Sequence, residues 1–169
     1  MEELRELESL PLFPDHGQPS TWSGLRVDGL VQKPVTLTLE DLQNLSQKTW
    51  TEDFTCEEGW TVSSQAWEGV PLSAALEMAS LLPEARHVAI SAADFTIGLT
   101  LDEAMLPNVL LASRLNGQPL PQEHGGPCRL VAEGKECFYS IKWVDHIQVT
   151  ASRPVDTAKQ IALSRIGKA

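Results

Sequence analysis

Three short segments of the chain carry residue types able to do chemistry. The first is Phe54-Thr55-Cys56-Glu57-Glu58-Gly59-Trp60. A thiolate is a nucleophile or a soft ligand for a transition metal. The two carboxylates beside Cys56 favour the protonated thiol, which counts against a free nucleophile and suits a metal that forces deprotonation. A buried core cysteine is the ordinary alternative. The second segment is His124-Gly125-Gly126-Pro127-Cys128-Arg129. Its glycines let backbone approach a ligand closely, Arg129 offers a planar fork for a phosphate, and His124 can donate or accept. A tight turn with a surface His and Arg is the alternative. The third is Ser140-Ile141-Lys142-Trp143, where Lys142 lies in an apolar, alternating stretch in which an anion would be a useful partner. The alternative there is an edge-strand lysine that keeps its head in water.

Other candidates are weaker. His16, His87 and His146 show no metal-ligand spacing, and the last two read as structural or exposed. Asp102-Glu103 reads as the cap of a short helix rather than a carboxylate pair. The three cysteines, Cys56, Cys128 and Cys137, form no CxxC pair, so neither a zinc site nor a disulfide framework is expected. No GxGxxG or GxxxxGK[ST] loop supports nucleotide binding.

The elements that must position these residues are short. A helix is expected over 1–10, from Leu4 and Leu7, followed by an irregular lead-in over 11–24. Strands are expected over 25–31 and 34–37, and a helix from Thr38 with Leu39, Leu42 and Leu45 on its apolar side. Strands over 50–56 and 60–67 precede a second helix from Pro71 to about Leu82. Strand-like stretches follow at 87–92, 95–101 and 109–115, then an Asn116-Gly117 turn. A Pro/Gly-rich loop spans 119–127, and β-like stretches cover 129–132 and 138–149. From Pro154 the chain turns basic and reads as a terminal helix. This pattern lacks βαβ regularity and predicts an α+β fold.

Composition bounds the function. The 169 residues suffice for one domain with a substantial core, and the formal charge of −10 opposes nucleic-acid binding by a basic surface. No apolar run approaches a membrane span. The opening MEELRELESL lacks the features of a secretory signal, so a cytoplasmic protein with free thiols is the expectation.

Taken in order and spacing, these segments resemble the molybdopterin-binding domain of the sulfite oxidase family of molybdenum oxidoreductases. The likeness runs from about Trp22 to Val149. It also includes Leu25-Arg26-Val27-Asp28-Gly29-Leu30-Val31 with Pro34, Trp67-Glu68-Gly69-Val70-Pro71-Leu72, and Leu110-Leu111-Ala112 with Asn116-Gly117-Gln118-Pro119-Leu120-Pro121. It implies a sulfite-oxidase-type molybdopterin-binding domain over 22–150, and leaves the lead-in over 1–21 and the basic tail over 151–169, helical by its own residues, outside the likeness. It implies a molybdenum–molybdopterin cofactor, with Cys56 as molybdenum ligand and catalytic residue. His124 and Arg129 would hold the pterin and its phosphate, and Ser140 and Lys142 would complete the cofactor site.

The chain departs from the family pattern at three places. Tyr139 stands where a lysine is common and Glu133 where a proline is common. Phe13-Pro14-Asp15-His16 matches an upstream motif only at His16. Losing one charged hydrogen bond would weaken cofactor binding by about 1–3 kcal/mol. Glu57 and Glu58 follow Cys56 where sulfite oxidases and nitrate reductases place arginines. The Cys-x-Glu-x-Trp pattern is more like the bacterial protein-methionine-sulfoxide reductase branch. The expected reaction is two-electron oxygen-atom transfer, with an S- or N-oxide favoured over sulfite or nitrate. The competing reading is a non-catalytic or cofactor-handling descendant of the same fold. The family's immunoglobulin-like and cytochrome b5 domains are not in this sequence. A separate redox protein is therefore the expected electron partner, and the tail from Arg153 to Lys168 is either its docking site or a solvated helix.

Overall fold

Two capping boxes fix the starts of two helices. Thr38 Oγ1 accepts from the Asp41 amide and the Asp41 carboxylate accepts from the Thr38 amide, opening α1 at Leu39–Asn44. Thr100 and Glu103 repeat the arrangement at α3, Leu101–Ala104, so of the expected pair Asp102-Glu103 it is Glu103 that caps, while Asp102 lies in the first turn. The computed structural model describes residues 5–7, 22–56, 60–92, 95–133 and 139–154.

The strands form two sheets. The larger has the order β1 (Arg5–Leu7), β5 (Trp60–Pro71), β8 (Val109–Leu115) and β10 (Arg129–Ala132). Off this path, β4 (Lys48–Cys56) pairs with β5, and β9 (Gln118–Pro119) pairs with β8. The smaller sheet runs β3 (Val35–Leu37), β2 (Leu25–Gly29), β11 (His146–Thr150), β6 (His87–Ala92) and β7 (Phe95–Thr100). There β11 lies parallel to β2 and antiparallel to β6. In β2, Leu25 and Val27 are buried while Arg26 is exposed, the period-2 alternation of a half-buried strand.

Helix α2, Leu72–Ala79, packs against β2 of one sheet and against β5 and β8 of the other. It buries Leu72, Ala75, Leu76 and Ala79 completely, so one apolar stripe holds the two sheets together. Its last carbonyls are taken by the loop after β2, where the Lys33 amide donates to Ala79 and the Gln32 amide to Ser80. Ser80, at φ +59, ends the helix before the expected Leu82, and Pro71 is its cap rather than part of its first turn. Among the described residues no helix is long and apolar enough to cross a membrane.

Two expected elements are different. Residues 5–7, expected to be helical, form a strand parallel to Trp60–Val62. A helix of about ten residues is marginal alone, whereas the edge of β5 offers open backbone partners. The β-like stretch over 138–149 becomes a strand only at His146, and the described residues before it are irregular. The expected C-terminal helix lies beyond the described residues.

Candidate cofactor site

The chain after β9 tightens into a 3-10 turn, Gln122–His124. Gly125 follows at φ +102, a conformation L side chains rarely adopt. A Cβ there would lie 2.8–3.0 Å from the Cγ, Cβ and Cα of Lys142, and one at Gly126 would lie 2.0 Å from the Leu120 carbonyl. Both glycines are therefore required by close approach, and the first is what lets segment 139–145 lie directly on the turn.

Arg129, the first residue of β10, is the centre of the cluster. Its side chain is 6% exposed. Its Nε donates to Ser140 Oγ at 3.0 Å and its Nη1 to the His124 carbonyl at 2.9 Å, so one rigid fork ties both segments together. The guanidinium carbon stands 5.1 Å from the centroid of the Trp67 ring, which is fully buried in β5. Arg129, Ala112 and Gly69 occupy one row across β10, β8 and β5, and a Cβ at Gly69 would lie 2.1 Å from the Leu111 carbonyl, so the strands approach closely in that row. Burial pulls the pKa of Arg129 below its ordinary value.

Lys142 donates from Nζ to the Glu123 carbonyl at 3.1 Å. Its neighbour Trp143 donates from its indole to the Gln122 carbonyl at 2.6 Å and from its amide to Gly125 at 3.1 Å. His124 carries its imidazole within the electrostatic reach of Lys142 and Arg129. Among the described residues its buried Nδ1 has no hydrogen-bond partner. Burial, then the charges of Lys142 and Arg129, hold its pKa below the ordinary imidazole value against a smaller opposing pull from Glu123. The neutral ring is thus surrounded by positive potential within a chain of net charge −10. A phosphate-bearing pterin fits this donor set. It would bring negative charge to two cations and a partner to the orphaned Nδ1, and Ser140 retains an O–H to donate.

The structure therefore brings His124, Arg129, Ser140 and Lys142 together. Lys142 is not the edge-strand lysine considered above, because its segment is a loop stitched onto the turn. Cys56 closes β4 with its backbone in register with Trp60, seven positions along β5 from Trp67. Its side chain, like His16 and Cys137, lies outside the described residues. Cys128 is buried and its thiol is pushed up to about 12, chiefly by burial and further by Asp145. His146 serves the other sheet, with Nε2 2.8 Å from Asp28, which also pairs with Arg26.

Two departures from the family pattern acquire explanations. Glu133 is exposed and accepts from the Asn108 side chain at 2.6 Å, while its amide donates to the Asn108 carbonyl, so it ties the end of β10 to the entry of β8. Tyr139 packs against the hydrophobic core. Sequence reasoning missed the parts played by Trp67, Trp143 and the Gln122 carbonyl. Trp67 and Trp143 stand in the quoted motifs, but the Arg129–Trp67 contact depends on register across three strands.

Residues 9–157 match the family described as the oxidoreductase molybdopterin binding domain. The chain belongs to that family. Membership carries the α+β sulfite-oxidase-type fold, the molybdenum–molybdopterin cofactor and an enzyme family of oxidoreductases. The protein-methionine-sulfoxide reductase catalytic subunit MsrP of Xanthomonas campestris pv. campestris is 36% identical over 152 residues, covering 80% of this chain and 47% of that protein. The oxidoreductase YuiH of Bacillus subtilis is 34% identical over 138 residues, covering 81% of this chain and 69% of its own length. The sulfane dehydrogenase SoxCD of Paracoccus pantotrophus superposes with a TM-score of 0.71 at 28% identity, covering 78% of this chain and 39% of that one. The chain spans about half the length of the MsrP relatives it matches.

Proposed function

We propose that the chain carries the cofactor site of a reductase that converts an organic S-oxide to the sulfide. In that reaction the sulfur–oxygen bond breaks, two electrons and two protons are taken up, and the oxygen leaves as water. The observation that carries this reading is the convergence of Arg129, Lys142 and the orphaned His124 imidazole on the Gly125-Gly126 turn. Bound there, the molybdenum–pterin group supplies two-electron oxygen-atom chemistry. The residues of this chain bind and orient it. Arg129 and Lys142 neutralise its phosphate, Ser140 and His124 add directional hydrogen bonds, and the glycine turn lets backbone lie close. Cys56 supplies the soft thiolate to the metal.

Substrate preference follows from charge. Glu57 and Glu58, adjacent to Cys56, oppose sulfite or nitrate by like charge and tolerate a neutral sulfoxide. Similarity to proteins named as methionine-sulfoxide reductases supports the same choice. A separate redox protein delivers the electrons. The alternative of a non-catalytic descendant rests on Glu133 and Tyr139, and both of those side chains have structural contacts of their own.

The test is metal and pterin content per chain, after expression in a cofactor-competent host, for wild type and Cys56→Ser. Turnover of methionine sulfoxide and of nitrate would be assayed with a reduced artificial donor. The expected result is near-stoichiometric molybdenum and sulfoxide turnover in wild type, with turnover lost and the fold retained in Cys56→Ser. Retained turnover in the variant, or a wild type without molybdenum, refutes the proposal.

A further inference from the structure

We propose that Trp143 is a positioning residue that clasps the cofactor loop and aims Lys142 and His124 at one anion. The inference rests on the reading of the two stitched segments as the cradle for the cofactor phosphate. In an extended strand, successive side chains point to opposite faces. Here Lys142 and Trp143 do not. The Lys142 ammonium reaches the Glu123 carbonyl and the Trp143 indole reaches the adjacent Gln122 carbonyl, so both side chains lie toward the same 3-10 turn. The ammonium sits 5.6 Å from the indole centroid.

The backbone makes this possible. Trp143 is held at φ +57, a left-handed conformation that a bulky aromatic residue keeps only where its surroundings over-determine it. The surroundings do so here. Its amide donates to Gly125, its indole to Gln122, and the side chain is 8% exposed. On either side of this reversal the segment hooks onto β10 and its approach. The Leu130 amide donates to Ile141 at 3.0 Å and the Val144 amide to Cys128 at 2.8 Å. The missing Cβ of Gly125 then gives Lys142 its room. Strain at Trp143 is thus spent on placing the Lys142 ammonium against the 3-10 turn that carries His124.

Trp143→Phe keeps an aromatic ring and removes the indole donor. We expect the pterin to dissociate about fivefold faster from purified holoprotein, the effect of one lost hydrogen bond, while the Gln122 carbonyl keeps the Gly125 amide as a donor. Ile90→Val, a fully buried site in the other sheet, is the comparator for general destabilisation. Its pterin should leave at the wild-type rate. A Trp143→Phe rate equal to wild type, or no faster than that of Ile90→Val, overturns the inference while leaving the site reading intact. A wild type that holds no pterin overturns both. If Trp143→Phe does not accumulate, hydrogen exchange at the Trp143 indole of the wild-type chain decides the matter. Exchange should slow at least fivefold between the empty and loaded protein, and equal rates overturn the inference.

Discussion

Replacing Arg129 with lysine keeps the charge and removes the fork. In the wild type, one guanidinium holds the His124 carbonyl and the Ser140 hydroxyl at once and stacks on Trp67. A lysine ammonium at the end of a flexible stem cannot reproduce that planar geometry. Losing one charged hydrogen bond costs about 1.5–3 kcal/mol, and weakening the contact with the indole face costs about 0.5–1 kcal/mol more. The expected total is about 2–4 kcal/mol, or a fall of about 5–12 °C in the melting temperature for a chain of this size. The assay is thermal unfolding of the cofactor-free full chain, followed by circular dichroism. Ser140→Ala and the double variant complete a cycle, in which Arg129 and Ser140 should couple by about 1–2 kcal/mol. A melting temperature within about 2 °C of wild type, or strictly additive losses, would show that the fork does not tie the two segments together.

Two further outcomes follow from the site's electrostatics. The native imidazole of His124 has a lowered pKa, whereas the unfolded chain titrates near 6.5, so between the two values the unfolded state binds the proton that the native state refuses. The stability of the empty chain should therefore be fully present above about pH 6.5 and fall as the pH drops below it. His124→Gln should melt with a shallower dependence over pH 5–7, and identical slopes for the two proteins would contradict the neutral assignment. The Cys128 thiol, at about 12, should resist iodoacetamide at pH 8 in the native chain and react on unfolding. Peptide mapping by mass spectrometry checks this residue separately from Cys56 and Cys137, and labelling at a free-thiol rate in the native state would refute its burial.

Local chemistry made much of the fold legible. Thr38 starts a helix because its side chain satisfies a first amide, a signal contained within four residues, whereas Thr100 caps α3 inside a stretch, 95–101, that reads as a strand. Asn116-Gly117 turns as expected, with both residues at positive φ. The four cofactor-binding candidates converge because their motifs share one loop pair. What stayed hidden was set at long range. Residues 5–7 add a strand because β5 has an edge to offer, which no spacing of leucines reveals. The alternation over 138–149 reads as a strand, yet Trp143 breaks it with a left-handed backbone whose reason lies in Gln122 and Gly125. The place of Trp67 beneath Arg129 depends on how β5, β8 and β10 align.

The position of β11 has a consequence for how the protein is made. This strand, the last one described, lies between β2 and β6, parallel to a partner more than a hundred residues earlier. The smaller sheet therefore stays open on the ribosome until residues 146–150 have emerged, and such distant pairing closes slowly. The clasp segment 139–145 runs directly into that strand. Completion of the smaller sheet and docking of the clasp on the turn therefore both wait for the last strand described, so the cradle is a late product of folding.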